Sequence, residues 1–140
     1  MQQMLTINSH PQDAYRRQDI MTANSVDLIV MLYDALKKNI ILGRKGITRQ
    51  DAHSAHKHLM RAQEIVAELV NSLDMNYEIS EDLLSLYEFI LRNLEYANLH
   101  KDENPEFLGP VIEMVDELRS AWSEISVTNK GNLYMGEAQA

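Results

Sequence analysis

Apolar residues recur along most of this chain in the rhythm of an α-helix. Ala55, Leu59, Ala62, Val66, Leu69 and Leu73 follow one another at steps of four and three, which lines them up on one side of a helix predicted over about 49–74. Thr48 and Asp51 resemble a capping pair at its start. Ser80, with Glu81 and Asp82 in the first turn, opens a further helix over about 81–100 whose stripe is Leu83, Tyr87, Ile90, Leu94 and Ala97. Asn104 and Pro105 suit an N-cap and first helical position. Leu108, Val111, Val115, Leu118, Trp122 and Ile125 then mark a helix over about 105–126, with Pro110 predicting either a kink or a later start. An earlier helix is predicted over about 25–42, capped by Asn24 and stopped by Gly43, so that GRKG reads as an exposed basic turn.

Four such segments with short connections predict an all-α fold, an antiparallel four-helix bundle, as a single domain over 1–126. Residues 1–24 add only a thin apolar edge of Ala14, Tyr15, Ile20 and Met21, which predicts a short, weakly held N-terminal helix or cap segment. Residues 127–140 have no stripe and are expected to form a flexible tail.

The first bundle segment departs from simple amphipathicity. In LIVMLYDAL, Leu28 to Leu36, apolar or aromatic side chains fill six successive positions before Asp34. On a helix, Ile29, Leu32, Leu36 and Ile40 define one side, Leu28, Met31 and Ala35 a second, and Val30, Tyr33 and Lys37 a third. A helix in a four-helix core cannot hide all three. The weak N-terminal segment covers the spare side, or another protein does, or both compete for it; the bland alternative is the central helix of a five-helix pack.

Composition narrows the chemistry. Five glycines and three prolines in 140 residues favour helices over turn-rich β structure. With no cysteine there can be neither a disulfide frame nor a thiol nucleophile, which fits a reducing, cytoplasmic home. MQQMLTINSH lacks the pattern of a secretory signal, and no apolar run reaches the ~18 residues of a membrane span, so membrane insertion is not expected. The net charge of −8 is concentrated after residue 74, where four Lys/Arg face thirteen Asp/Glu, and this disfavours nucleic acid as a partner. No Glu-x-x-His, phosphate loop or G-x-S-x-G elbow is present, and no carboxylate falls within an apolar stripe. His53, His56 and His58 lie close in sequence, but His58 points to a different side from His53, so solvent-facing side chains are expected rather than a metal site. No enzyme activity, cofactor or metal is predicted.

The succession of AYRRQDIMTAN, LIVMLYDAL, ELVNSLD, LLSLYEFILRNLEYANLHKD and ELRSAWSEI, from Tyr15 to Ile125, resembles the flagellar secretion chaperone family FliS. Asn24-Ser25 stands where that family usually has Ser-Pro, Ala35 where it has Gly, and Asn76-Tyr77 where it has paired glycines. The resemblance implies a non-enzymatic cytosolic chaperone that binds the disordered C-terminal segment of flagellin in hydrophobic grooves, prevents premature polymerisation and aids type III flagellar secretion. It also suggests contacts with export gate or regulator proteins. By matched position it implies Tyr15, Ile20, Leu28, Met31, Leu32, Tyr33 and Leu36 for a first groove and Tyr87, Leu91, Leu94 and Tyr96 as second-rank contacts. For Leu32, Tyr87 and Leu94, core packing is at least as good a reading. A generic helical-bundle adaptor for another amphipathic helix is the rival, and the oligomeric state is left open.

Overall fold

The computed structural model describes the backbone of residues 25–136 and the side chains of 26–125. Among these residues the chain forms four α-helices and one short 3₁₀ turn, with no strand: α1 (Ser25–Thr48), α2 (Ala52–Asn71), α3 (Ile79–Leu99), the turn Pro105–Phe107, and α4 (Leu108–Gly136). This is an antiparallel four-helix bundle. Cross-helix partners run in opposite directions: Asn39 meets His58 and Gly46 meets Ala55 between α1 and α2, His56 meets Asn98 between α2 and α3, and Asp34 meets Arg119 between α1 and α4. The predicted stripes form the core. Ala55, Leu59, Ala62, Val66 and Leu69 of α2 and the whole set from Leu83 to Ala97 on α3 are buried. Leu108, Val111 and Val115 are buried on α4, Leu118 and Trp122 pack partly against them, and Ile125 is 44% exposed.

The helix boundaries differ from the sequence expectation in instructive ways. α1 does not stop at Gly43 but runs on to Thr48, so GRKG is helix and not a turn. Both glycines are there for proximity. A Cβ on Gly43 would lie 2.7 Å from Leu59 Cδ2, and one on Gly46 would lie 2.7 Å from the backbone nitrogen of Ala55. The two helices cross where only hydrogen atoms fit between them. The turn comes later, at Gln50, whose φ of 58° is the one left-handed value among the described non-glycine residues. Thr48 is therefore inside α1, and Asp51 alone caps α2 by accepting from the Ser54 amide at 3.1 Å.

The connection from α2 to α3 needs no glycine. Asp74 accepts the Asn76 amide on its side chain at 3.0 Å, and its carbonyl accepts from the Tyr77 amide and the Ser80 hydroxyl. Ser80 is thereby buried inside the first turn of a helix that begins at Ile79, and does not act as its cap. At the start of α4, Asn104 caps the 3₁₀ turn by accepting from the Glu106 amide, and the α-helix begins at Leu108. Pro110 then falls in the first turn, where its missing N–H has no intrahelical partner to lose, so the helix starts between the expected Pro105 and the later alternative at Gly109 and Pro110. The backbone of α4 stays helical to Gly136, beyond the end of the apolar stripe, where the sequence suggested a loose tail; a helix already nucleated extends at the cost of ordering one residue per hydrogen bond.

A partly covered helix face as candidate functional site

α1 answers the question raised by its composition by dividing its circumference. Leu32, Tyr33, Leu36 and Ile40 enter the core. The side toward α4 is closed by two ion pairs, Asp34 with Arg119 and Lys37 with Asp116, each at 2.8 Å. Arg119 holds its proton more tightly than an ordinary guanidinium because it donates to the Asp34 carboxylate and feels its charge. What is left is the strip Leu28, Met31, Ala35, Lys38 and Leu42, at steps of three and four along the outside of the helix. Met31 is 59% exposed, and Leu28, Ile29, Val30, Ala35 and Leu42 are half-buried. An apolar strip of this length on the solvent side of a bundle helix is what an incoming amphipathic helix can cover.

The residues expected to make contact separate into groups. Tyr15 and Ile20 lie outside the described residues. Leu28 and Met31 are accessible and share the outer strip. Leu32, Tyr33, Leu36, Tyr87 and Leu94 are core residues in this structure. Tyr33 and Tyr87 are brought together from α1 and α3, diagonally across the bundle, with their hydroxyls hydrogen-bonded to each other and their rings tilted at 47°. Desolvation by burial raises both phenols, Tyr33 well above its ordinary value, so each stays protonated and can donate. The pair satisfies two buried hydroxyls that would otherwise be costly in the centre of the core.

Leu91 and Tyr96 occupy different flanks of α3, five positions apart. Leu91 is half-buried and packs against the core. Tyr96 is 43% exposed, stacks on His100 and donates its hydroxyl to the Glu103 carboxylate at 2.7 Å, which raises its pKa through the hydrogen bond first. These two therefore do not join the α1 strip into one surface.

The apolar periodicity gave no warning of a further exposed set on α3 and α4. Phe89 is 39% exposed and Leu86 half-buried, both off the core stripe, and the only sign in the sequence is a large aromatic standing outside that stripe. The histidines of α2 do not converge: His56 Nδ1 lies 3.2 Å from Asn98 Oδ1, and His58 Nδ1 lies 3.1 Å from Asn39 Oδ1. Among the described residues no group of His, Asp or Glu side chains is placed to share a metal ion, and no helix is long and apolar enough to cross a membrane.

Comparison with known proteins places this arrangement in a family. Residues 8–129 match the family model described as flagellar protein FliS. The flagellar secretion chaperone FliS of Bacillus subtilis is 31% identical over 115 residues, covering 82% of this chain and 85% of its own length. The proteins of the same name from Vibrio cholerae and Campylobacter jejuni are 28% and 27% identical over 76% and 84% of this chain, and over 78% and 92% of their own lengths. With a match that runs from before α1 into the later turns of α4, this chain belongs to the FliS family of flagellar secretion chaperones.

Proposed function

We propose that this chain is a cytosolic, non-enzymatic chaperone for flagellin, and that it receives the disordered C-terminal segment of that client as a helix laid along α1. The observation that carries this reading is the partly exposed strip of Leu28, Met31, Ala35 and Leu42, with Met31 59% exposed at its middle, on an otherwise well-packed helix. The names of the relatives support a client in flagellar secretion, and the strip supplies the physics: a chain with no fold of its own buries its apolar side chains only as it becomes helical on the chaperone. Holding those side chains keeps them from other flagellin copies before export. The leading segment, with Tyr15 and Ile20, is proposed as a competing cover of the same strip. Contacts with export gate or regulator proteins belong to the same proposal.

The test is titration with a synthetic flagellin C-terminal peptide, followed by circular dichroism. The mixture gains helix beyond the sum of its parts, and Leu28→Asp loses about 2 kcal/mol or more of binding, the scale of an interface hot spot, while keeping the helical spectrum of the free protein. Unfolding of that variant would make Leu28 a core residue. Unchanged binding would remove the strip from the site and favour an adaptor that reads a different helix elsewhere.

A further inference from the structure

A second apolar surface lies on the opposite side of the bundle from the α1 strip. α3 and α4 make the least intimate pairing of the sequential helices, far less extensive than α1 with α2 or α2 with α3. Leu86, Phe89 and Tyr96 face this side of α3 at steps of three and seven, and Met114, Leu118 and Ile125 face it from α4 at steps of four and seven. Phe89, Tyr96 and Ile125 are each about two-fifths exposed, at 39%, 43% and 44%, and the other three are half-buried. Met114 and Leu118 also pack against the core beneath, and Tyr96 leans on Phe107 and His100, so the accessible apolar surface of the seam is mainly that of Phe89, Tyr96 and Ile125.

Its border is acidic. Glu113, Glu117 and Glu124 form one exposed row on α4, each immediately preceding a seam residue. α3 carries Glu81, Asp82, Glu88 and Glu95 against Arg92 alone, and the one basic residue of α4 before position 126, Arg119, is taken up by Asp34 of α1. A solvated helix face ordinarily mixes both signs; here the anionic residues stand beside exposed aromatic and aliphatic ones.

We propose that the α3–α4 seam docks an amphipathic helix of a partner protein whose apolar stripe is flanked by Lys and Arg. Charge selects this occupant over those available within the chain. The leading segment offers Arg16 and Arg17 but balances them with Asp13 and Asp19, so it brings no net positive charge to the seam. A second copy meeting this one seam to seam would set the two glutamate rows against each other across the contact. A basic helix meets both requirements at once, covering Phe89 and Leu118 while its cations reach the glutamate row. Because this site and the α1 strip lie on different sides, the bundle can hold a partner while it holds its client.

The test uses the full chain, isotopically labelled, and two synthetic amphipathic peptides with the same leucine stripe, one flanked by Lys and one by Glu. The Lys-flanked peptide shifts amide signals of residues 86–96 and 114–125, its affinity falls with added salt, and the Glu-flanked peptide fails to compete. The variant Glu113→Lys/Glu117→Lys/Glu124→Lys, changed only at exposed positions, weakens that binding about tenfold or more, and Phe89→Ser/Ile125→Ser, also at exposed positions, weakens it without loss of helix. Equal binding of the two peptides, shifts confined to residues 28–42, or a seam protected by concentration-dependent self-association would each overturn the proposal. Binding of the flagellin peptide to α1 is read separately, through Leu28→Asp, so either site can fail alone.

Discussion

At the scale of single residues, the Tyr33–Tyr87 pair decides more than its area suggests. The two hydroxyls are partners and Tyr33 also accepts from Trp122, so Tyr33→Phe, which takes a partner from both Tyr87 and Trp122, costs about 1–3 kcal/mol, and Tyr87→Phe costs less. Changing both removes the hydroxyl pair, leaving only the Trp122 N–H without its acceptor, and the double variant is expected to be less destabilised than the sum, with a coupling of about 0.5–3 kcal/mol in a urea double-mutant cycle. Additive effects would mean that the hydroxyls do not depend on each other. The same pair sets an alkaline limit. Their pKa values are raised in the fold, so above the ordinary tyrosine value of about 10 the unfolded chain has released protons that the folded chain still holds. Stability contributed by the pair is therefore fully present below about pH 10 and is lost as pH rises toward the folded values. The urea midpoint should fall between about pH 9 and 11, and fall less in the double phenylalanine variant, which lacks the titrating groups.

At the scale of helices, the crossing of α1 over α2 is the tightest feature of the bundle and the one the sequence concealed. A glycine read along a single chain looks like the end of a helix, because its usual meaning is freedom to adopt a left-handed cap. Gly43 and Gly46 instead mark contact with a second helix, and that meaning exists only once Leu59 and Ala55 are known to lie opposite. The two should differ under substitution. Alanine at 43 meets Leu59 at Cδ2 and Cγ, 2.7 and 2.8 Å away, so that buried side chain must shift, a cost partly offset by up to about 1 kcal/mol of helix propensity. Alanine at 46 meets the backbone of Ala55, which cannot move without separating the helices, so Gly46→Ala should cost about 1–3 kcal/mol and Gly43→Ala markedly less, as read by thermal or urea unfolding. What was legible from the sequence were the stripes of α2, α3 and α4, since a step of three or four records burial regardless of partner. The outer strip of α1 was legible only as a surplus. An all-apolar turn says that too many sides are oily, but which side is core depends on where α2 and α4 sit; Leu32, Tyr33 and Leu36, which the family resemblance implies for the same groove as Leu28 and Met31, lie in the core here, while Leu28 and Met31 keep accessible surface.

At the scale of the whole molecule, a chaperone with a partly exposed apolar strip must avoid sticking to itself without becoming unable to bind its client. A cover drawn from its own chain reconciles the two if its affinity for the strip is modest. In composition the segment before α1 suits such a proposed cover, because Tyr15, Ile20 and Met21 give it an apolar edge that is thin beside that of a full amphipathic helix. Such a cover reduces apparent client affinity by the fraction of time the strip is open. If the strip is closed about nine times in ten, deletion of residues 1–18 tightens binding of the flagellin C-terminal peptide about tenfold, and it simultaneously raises the tendency of the free protein to self-associate. Titration calorimetry on the full-length and shortened proteins, with light scattering on each alone, measures both effects. Unchanged or weaker peptide binding after the deletion would show that these residues do not hold the strip closed, and would return Leu28 and Met31 to the client as a permanently open surface.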